Sequence, residues 1–160
     1  MQKLILIISL SALSLTFYGQ KSPVDELFDK YNGKEGFTSV FISSKMFSLL
    51  SRIDSDDVEF RNLVTRIKGI RILSIDSASN RPGINFAAEL LPKLNRTGYE
   101  ELMTVQEETG EIRFMIRETG GKIAELVMIT GGKGSSIVSI TGDLDLKTIA
   151  SLSGSMRSEE

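Results

Sequence analysis

The sequence predicts an α+β fold, a two-layer sandwich with helices packed on one face of a mixed, mostly antiparallel sheet. Three observations indicate this class. Apolar residues recur at helical spacing in the first half of the chain, two short segments rich in β-branched residues separate those helices, and glycine turns divide residues 99–142 into short strands. The last region predicts a C-terminal four-stranded meander, and a final helix is expected after it.

The first 20 residues predict a signal peptide. Lys3 precedes an apolar run that extends to Tyr18, and this run is short for a transmembrane helix and typical of an export signal. Cleavage is expected near Gly19 or Gln20, and an uncleaved N-terminal anchor is the alternative. We therefore expect a single α+β domain over residues 21–160, without an integral membrane span after cleavage. Its expected location is the periplasm or the cell exterior of a Gram-negative bacterium.

Helices and strands alternate in the first half of the mature chain. The apolar spacing predicts helices over residues 22–31, from Ser44 to Ile53, from Phe60 to Ile67 and over residues 85–94, with strands at Phe37–Ile42 and Ile70–Ile75. Pro23 suits the start of the first helix, Gly69 is expected to end the third, and Pro92 predicts a kink or a restart in the fourth. The two helical connections predict right-handed crossovers. The final helix is expected to turn Leu146, Ile149, Ala150 and Leu152 inward.

The turns of the meander predict which side chains share a face. Two-residue turns at Thr109–Gly110 and Gly120–Gly121, with a four-residue loop at Gly131–Gly134, place Phe114 opposite both Val105 and Val127. This register predicts one strongly apolar face that the helices cover: Met103, Val105, Ile112, Phe114, Ile116, Val127, Ile129, Val138 and Ile140.

The opposite face of the meander is the candidate interaction surface. It mixes arginine and methionine with aliphatic side chains, a composition that is enriched at protein interfaces. Its key residues are Leu102, Thr104, Arg113, Met115, Arg117, Leu126, Met128 and Ile137. An ordinary amphipathic sheet face, or cover by the N-terminal helix, is the alternative. Glu125 falls on the predicted core face, where lysine or water is its expected partner, and a catalytic role would need a second group that the sequence does not identify.

The residue types argue against an enzyme. The chain contains no histidine and no cysteine, which removes the commonest general base, the commonest metal ligands and the thiol nucleophile. We expect no catalytic, metal or cofactor site. Residues 131–136 lack the order of a phosphate-binding loop, and Asp54–Asp57 suits a helix cap better than a calcium loop.

The charge pattern and one short motif bear on partners. The net charge is −2 and no basic tract is present, so nucleic acid is not an expected partner. Asp76, Ser77 and Ala78 match a three-residue O-glycosylation acceptor of some Gram-negative envelopes, although three residues carry little specificity.

Three segments together resemble a known family. They are Phe37–Ser43 before a methionine-bearing helix, Gly98–Met103, and Ile140–Leu146 with its Thr-Gly-Asp-x-Asp sequence. They are similar to the envelope family called domain of unknown function 4252, over roughly Val24 to Leu152. The resemblance implies a small exported protein of a Gram-negative envelope and supplies no activity, substrate or catalytic residue.

Three functional hypotheses follow. We expect a non-enzymatic envelope module that binds a protein or a small ligand on the open sheet face. The first alternative is a structural or homo-oligomerising domain that uses the same face or the sheet edge, with weak self-association. The second is a hydrolase with a carboxylate-based site.

Overall fold

The computed structural model describes residues 21–53, 58–76, 84–108, 110–132 and 135–145. The predicted signal peptide, the Asp54–Asp57 segment, Ser77 with Ala78, and the predicted final helix lie outside these residues. No helix in the described ranges is long and apolar enough to cross a membrane. The elements are α1 Pro23–Tyr31, β1 Phe37–Ser43, α2 Ser44–Ile53, α3 Val58–Arg66, β2 Ile67–Ile75, α4 Phe86–Arg96, β3 Tyr99–Glu107, β4 Gly110–Thr119, β5 Lys122–Thr130 and β6 Ser136–Leu144.

The six strands form one sheet in the order β1-β2-β6-β5-β4-β3. Every neighbouring pair in it is antiparallel. The α+β class and the meander from β3 to β6 are confirmed. The expected parallel component is wrong, because α2 and α3 return the chain to an antiparallel neighbour, β2. The handedness rule for parallel crossovers therefore does not apply to this connection.

The helices contact both faces of the sheet rather than one. Helices α1 and α4 pack against the face that carries Met115 and Val127, which we call face A. Helices α2 and α3 pack against the face that carries Ile116 and Leu126, which we call face B. These strand residues are neighbours in sequence, so their side chains point to opposite sides of the sheet. The expected single layer of helices is wrong, because both faces of the sheet are apolar and helices pack against both of them.

The helix boundaries follow from local capping chemistry. The Ser22 side chain accepts a hydrogen bond from the backbone of Asp25, and Pro23 occupies the first turn. The predicted apolar stripe of α1 is buried along its whole length. Helix α4 begins after Asn85, whose side chain accepts from the Ala88 backbone, and it continues past Pro92 to Arg96. The chain turns into β2 at Ile67, two residues before the glycine that was expected to end α3.

A bulge moves β5 out of its predicted register with β4. Gly120 and Gly121 have φ values of 61° and 73° and form the expected two-residue turn. Beyond that turn Glu118 pairs with Ile123 but Arg117 pairs with Glu125, so Ala124 is an extra residue in β5. Phe114 consequently lies opposite Met128 rather than Val127.

The other two loops of the meander also differ from the prediction by one residue. Thr130 pairs with Ser136, so five residues rather than four join β5 to β6, and Val138 lies opposite Met128. Glu107 pairs with Gly110, so the first turn lies one residue earlier than expected. The pairing of β5 is displaced by one residue relative to both of its neighbours, β4 and β6. The predicted faces are therefore exchanged on β5 and kept on β4 and β6.

Candidate functional site

The eight predicted interaction residues do not share one open face. Arg113, Met115, Arg117 and Ile137 project from face A, since their cross-strand partners lie there. Leu126 and Met128 project from face B because of the bulge in β5. Met115 is 1% exposed and packs in the core under α1 and α4, as does Ile137. The expected single open surface is therefore wrong, because its residues lie on both faces of the sheet and two of them lie in the core.

The remaining predicted residues lie on β3, which forms one edge of the sheet. Leu102 and Thr104 are both exposed there. Leu102 is the bulged residue, since Glu101 pairs with Met115 and Met103 pairs with Phe114. The half-buried Arg113 lies nearby on β4, with its guanidinium 3.0 Å from Glu101 and 2.9 Å from Glu111.

A buried carboxylate lies on face A, on the opposite side of the sheet from the face where the predicted register placed it. Glu125 is 1% exposed. Its carboxylate accepts hydrogen bonds from the Tyr99 hydroxyl at 2.6 Å, the Ser139 hydroxyl at 2.7 Å and the Arg117 guanidinium at 3.2 Å. These partners come from β3, β6 and β4, so one side chain joins four strands of the sheet. The cluster was not predicted, because the predicted register placed Glu125 on the face opposite Arg117 and Ser139.

The electrostatics of this cluster favour a structural role. Burial raises the pKa of Tyr99 to about 12, and the hydrogen bond to Glu125 adds to the effect. Burial alone would lower the pKa of Arg117, but its bonds to Tyr99 and Glu125 outweigh that effect and raise it. A phenol with so high a pKa is a poor general base at neutral pH. The carboxylate, with three donors and almost no exposure, resembles the anchor of a buried polar network.

The Thr-Gly-Asp-x-Asp segment packs across the junction of α3 and β2. A Cβ on Gly142 would lie 2.3 Å from the backbone oxygen of Arg66, so no larger residue fits without a backbone shift. The hydroxyl of Thr141 donates to the Gly69 carbonyl at 3.3 Å. Asp143 pairs with Lys68 at 3.1 Å, and Asp145 pairs with Arg66. The segment therefore has a structural role at the point where the helix becomes a strand.

Exposed apolar side chains concentrate on β1 and α2. Phe41 on β1 is 68% exposed, and Val40 beside it is 41% exposed. Met46 and Leu49 are exposed one turn apart on α2. The sequence showed that β1 is apolar, but it did not show that β1 stands at the edge of the sheet.

The two edge strands of the sheet differ in their protection. Strand β3 carries Glu100, Glu101 and Glu107, and it is interrupted by the bulge at Leu102. Charges and bulges are the usual devices that prevent an edge from pairing with another chain. Strand β1, Phe-Thr-Ser-Val-Phe-Ile-Ser, contains no charge and no proline, and its pairing with β2 is continuous over all seven residues. It is the unprotected edge of the described sheet.

The hydrogen-bond pattern shows which backbone groups of β1 point away from the sheet. The Ile75 amide donates to Ser135 on the β6 side at 3.1 Å, whereas the next amide, that of Asp76, donates to Gly36 on the β1 side at 3.0 Å. Antiparallel pairing alternates in this way along the strand. Val40 therefore exchanges its backbone bonds with β2, and the N–H and C=O groups of Ser39 and Phe41 point outward.

A hollow between the ends of α1 and α4 is lined by basic groups. It includes Lys21, Lys93 and Arg96. Lys21 pairs with Asp29, and Lys93 lies 3.6 Å from Glu26. Because acidic side chains already balance these two lysines, the hollow does not indicate an anion site.

Comparison with known proteins identifies a family but no activity. The family model described as "Domain of unknown function (DUF4252)" matches residues 31–152. This range includes all six strands and three of the four described helices. No curated protein and no solved structure matches the chain.

Proposed function

This chain belongs to the DUF4252 family, and we propose that it is a non-enzymatic interaction module, exported to the envelope of a Gram-negative bacterium, that binds a partner strand along β1. The observation that carries the proposal is the uncharged, continuous edge of β1 with the exposed Phe41. A sheet edge of this kind binds by strand addition, in which backbone hydrogen bonds supply affinity and alternate side chains supply specificity.

The side chains around β1 suit a binding surface. Exposed aromatic residues at the centre of an interface commonly supply much of its binding energy. Phe41 is exposed on face A of β1, whereas Val40 is exposed on face B, the side where α2 packs with its exposed Met46 and Leu49. Methionine adapts to differently shaped partners. This surface replaces the predicted one, which lies partly in the core.

The buried Glu125 supports a binding role over a hydrolytic one. It is the type of carboxylate that the hydrolase hypothesis requires, but Tyr99, Ser139 and Arg117 occupy its oxygens. A general acid or base needs contact with the substrate, or contact through one water. An exposure of 1% gives this carboxylate no such contact.

Crosslinking in living cells tests the binding surface. The photoreactive residue p-benzoylphenylalanine replaces Phe41 in one variant and Met103 in a matched control. Met103 is also an exposed apolar residue on an edge strand, at 48% exposure. We expect light-dependent adducts from position 41 and few from position 103. Equal adducts at both positions, or none at position 41, would contradict the proposal.

Export is tested separately. The proposal of export rests on Lys3 and the apolar run that follows it. We expect the protein in the periplasmic or extracellular fraction, with a mature N-terminus close to Gln20. A full-length chain in the cytoplasmic fraction would contradict export without affecting the proposal for β1.

A further inference from the structure

We infer that the partner of β1 is the β1 strand of a second copy of this chain, paired antiparallel about a two-fold axis at Val40. This inference rests on the proposed function, because it names the partner of the same edge. A strand that pairs with itself in antiparallel fashion gives a closed, symmetric dimer. The two sheets would then form one continuous sheet through the paired edges.

The alternation of inward and outward backbone groups along β1 fits this axis. The outward groups belong to Ser39 and Phe41, which flank Val40 symmetrically. An axis at Val40 places Ser39 opposite Phe41 of the partner subunit, and each such pair exchanges two N–H···O bonds. The same register repeats on the other side of the axis, so every outward group of both residues receives a partner.

The two neighbouring axes depend on residues at the ends of β1. An axis at Ser39 would pair Phe41 with Phe37 of the partner subunit, but the Phe37 amide already donates to Lys34 at 3.2 Å. An axis at Phe41 would pair Ser39 with Ser43 of the partner subunit, where β1 ends and α2 begins. The pairs nearest an axis at Val40 join Ser39 to Phe41 of the partner subunit, and these pairs do not depend on either end of β1.

The side chains of β1 are also self-complementary about Val40. On face A the exposed ring of Phe41 would lie beside the small Ser39 side chain of the partner subunit. In each copy the Ser39 hydroxyl donates to the Asn32 side chain at 2.6 Å. On face B the two Val40 side chains would meet in a non-hydrogen-bonded pair, where side chains approach most closely. Apolar area that is exposed in one copy, 41% for Val40 and 68% for Phe41, would be buried in the dimer.

Charge favours this pairing over one through the other edge. Strand β3 would bring its own glutamates close to those of a second copy, and like charges across a strand pair destabilise it. Strand β1 has no charged residue between Phe37 and Ser43. Self-association through β1 therefore meets no like-charge repulsion from its own strand.

Single cysteines report the register directly, because the natural chain contains none. Ser39→Cys, Val40→Cys and Phe41→Cys are made in the full chain, with Met103→Cys as the exposed control on the other edge. We expect Val40→Cys to form a disulfide-linked dimer fastest under mild oxidation. Its Cα atoms would lie about 4.5 Å apart, within the range that a disulfide spans, and the other positions would lie farther from their own copies.

Each other outcome decides against the inference. Faster crosslinking of Ser39→Cys or Phe41→Cys would mean a different axis, and rates equal to that of Met103→Cys would mean random collision. If position 41 forms photoadducts only with another protein, β1 binds a partner and the proposed function survives while this inference fails. If neither photoadducts nor disulfide-linked dimers form through β1, both fail.

Discussion

Tyr99 donates a 2.6 Å hydrogen bond to the buried carboxylate of Glu125 and so joins the start of β3 to β5 across β4. The two residues share a row with Arg117, which pairs with Tyr99 on one side and Glu125 on the other. The guanidinium of Arg117 lies 5.4 Å from the centre of the Tyr99 ring. This row holds the edge strand β3 in register. The Tyr99 hydroxyl is the simplest group in the row to remove by substitution.

Tyr99→Phe is expected to lower the free energy of unfolding by about 2 kcal/mol, since a buried carboxylate loses one of its three donors. Urea unfolding measures the change. Tyr31→Phe is the matched control, because the Tyr31 hydroxyl donates to Glu89 at 2.9 Å on a partly exposed carboxylate. Tyr31→Phe should lower the free energy of unfolding by less than about 1 kcal/mol. Equal losses in the two variants would contradict an anchoring role for Glu125.

Alkaline pH is expected to remove part of the same stabilisation. The pKa of Tyr99 is raised to about 12 in the folded protein, from 10.0 for an ordinary tyrosine. A raised pKa means that the folded state holds the proton more tightly, so the contribution is complete below pH 10 and is lost as the pH rises through 12. At about 1.4 kcal/mol per pKa unit, the complete loss is at most about 3 kcal/mol, and only part of it occurs by pH 12.

The pH effect is isolated by comparison with Tyr99→Phe. Free energies of unfolding are measured for both proteins from pH 9 to pH 12, so that other titrating groups cancel. The free energy of unfolding of the natural chain exceeds that of Tyr99→Phe, and this difference should shrink steadily above pH 10. An advantage that stays constant over this range would contradict the assignment.

Gly142→Ala is expected to destabilise the protein by about 3 kcal/mol or more, because the new Cβ would lie 2.3 Å from the Arg66 carbonyl oxygen. That oxygen belongs to the backbone at the end of α3, so it cannot rotate away. Gly131→Ala is the control, since its nearest atom would be 3.6 Å away, an ordinary contact. Thermal unfolding of both variants measures the contrast. Similar melting temperatures would mean that the junction of α3 and β2 adapts easily.

Local patterns in the sequence predicted most elements of the fold. The spacing of Val24, Leu27, Phe28 and Tyr31 predicted α1, and Gly120–Gly121 predicted the central turn of the meander. These features depend on residues close together in the chain. The antiparallel return from β1 to β2 depends on the packing of α2 and α3, and periodicity does not encode it.

The candidate site was predicted less well, because it depends on single-residue details. The bulge at Ala124 has no glycine or other sequence signal at that residue, yet it exchanges the faces of β5. The error moved Glu125 to the face opposite Arg117 and combined Met115 with Leu126 on one predicted surface. The position of β1 at the edge follows from the whole strand order, which the sequence of β1 alone does not contain.

Hydrogen exchange at β1, followed by residue-resolved NMR over a range of protein concentrations, tests whether two copies pair through β1. We expect the amides of Ser39 and Phe41 to exchange slowly at high concentration and rapidly on dilution, whereas the Val40 amide stays protected by β2 throughout. Fast exchange of Ser39 and Phe41 at every concentration would contradict pairing through β1. Slow exchange at every dilution, in a protein that light scattering shows to be monomeric, would contradict it equally.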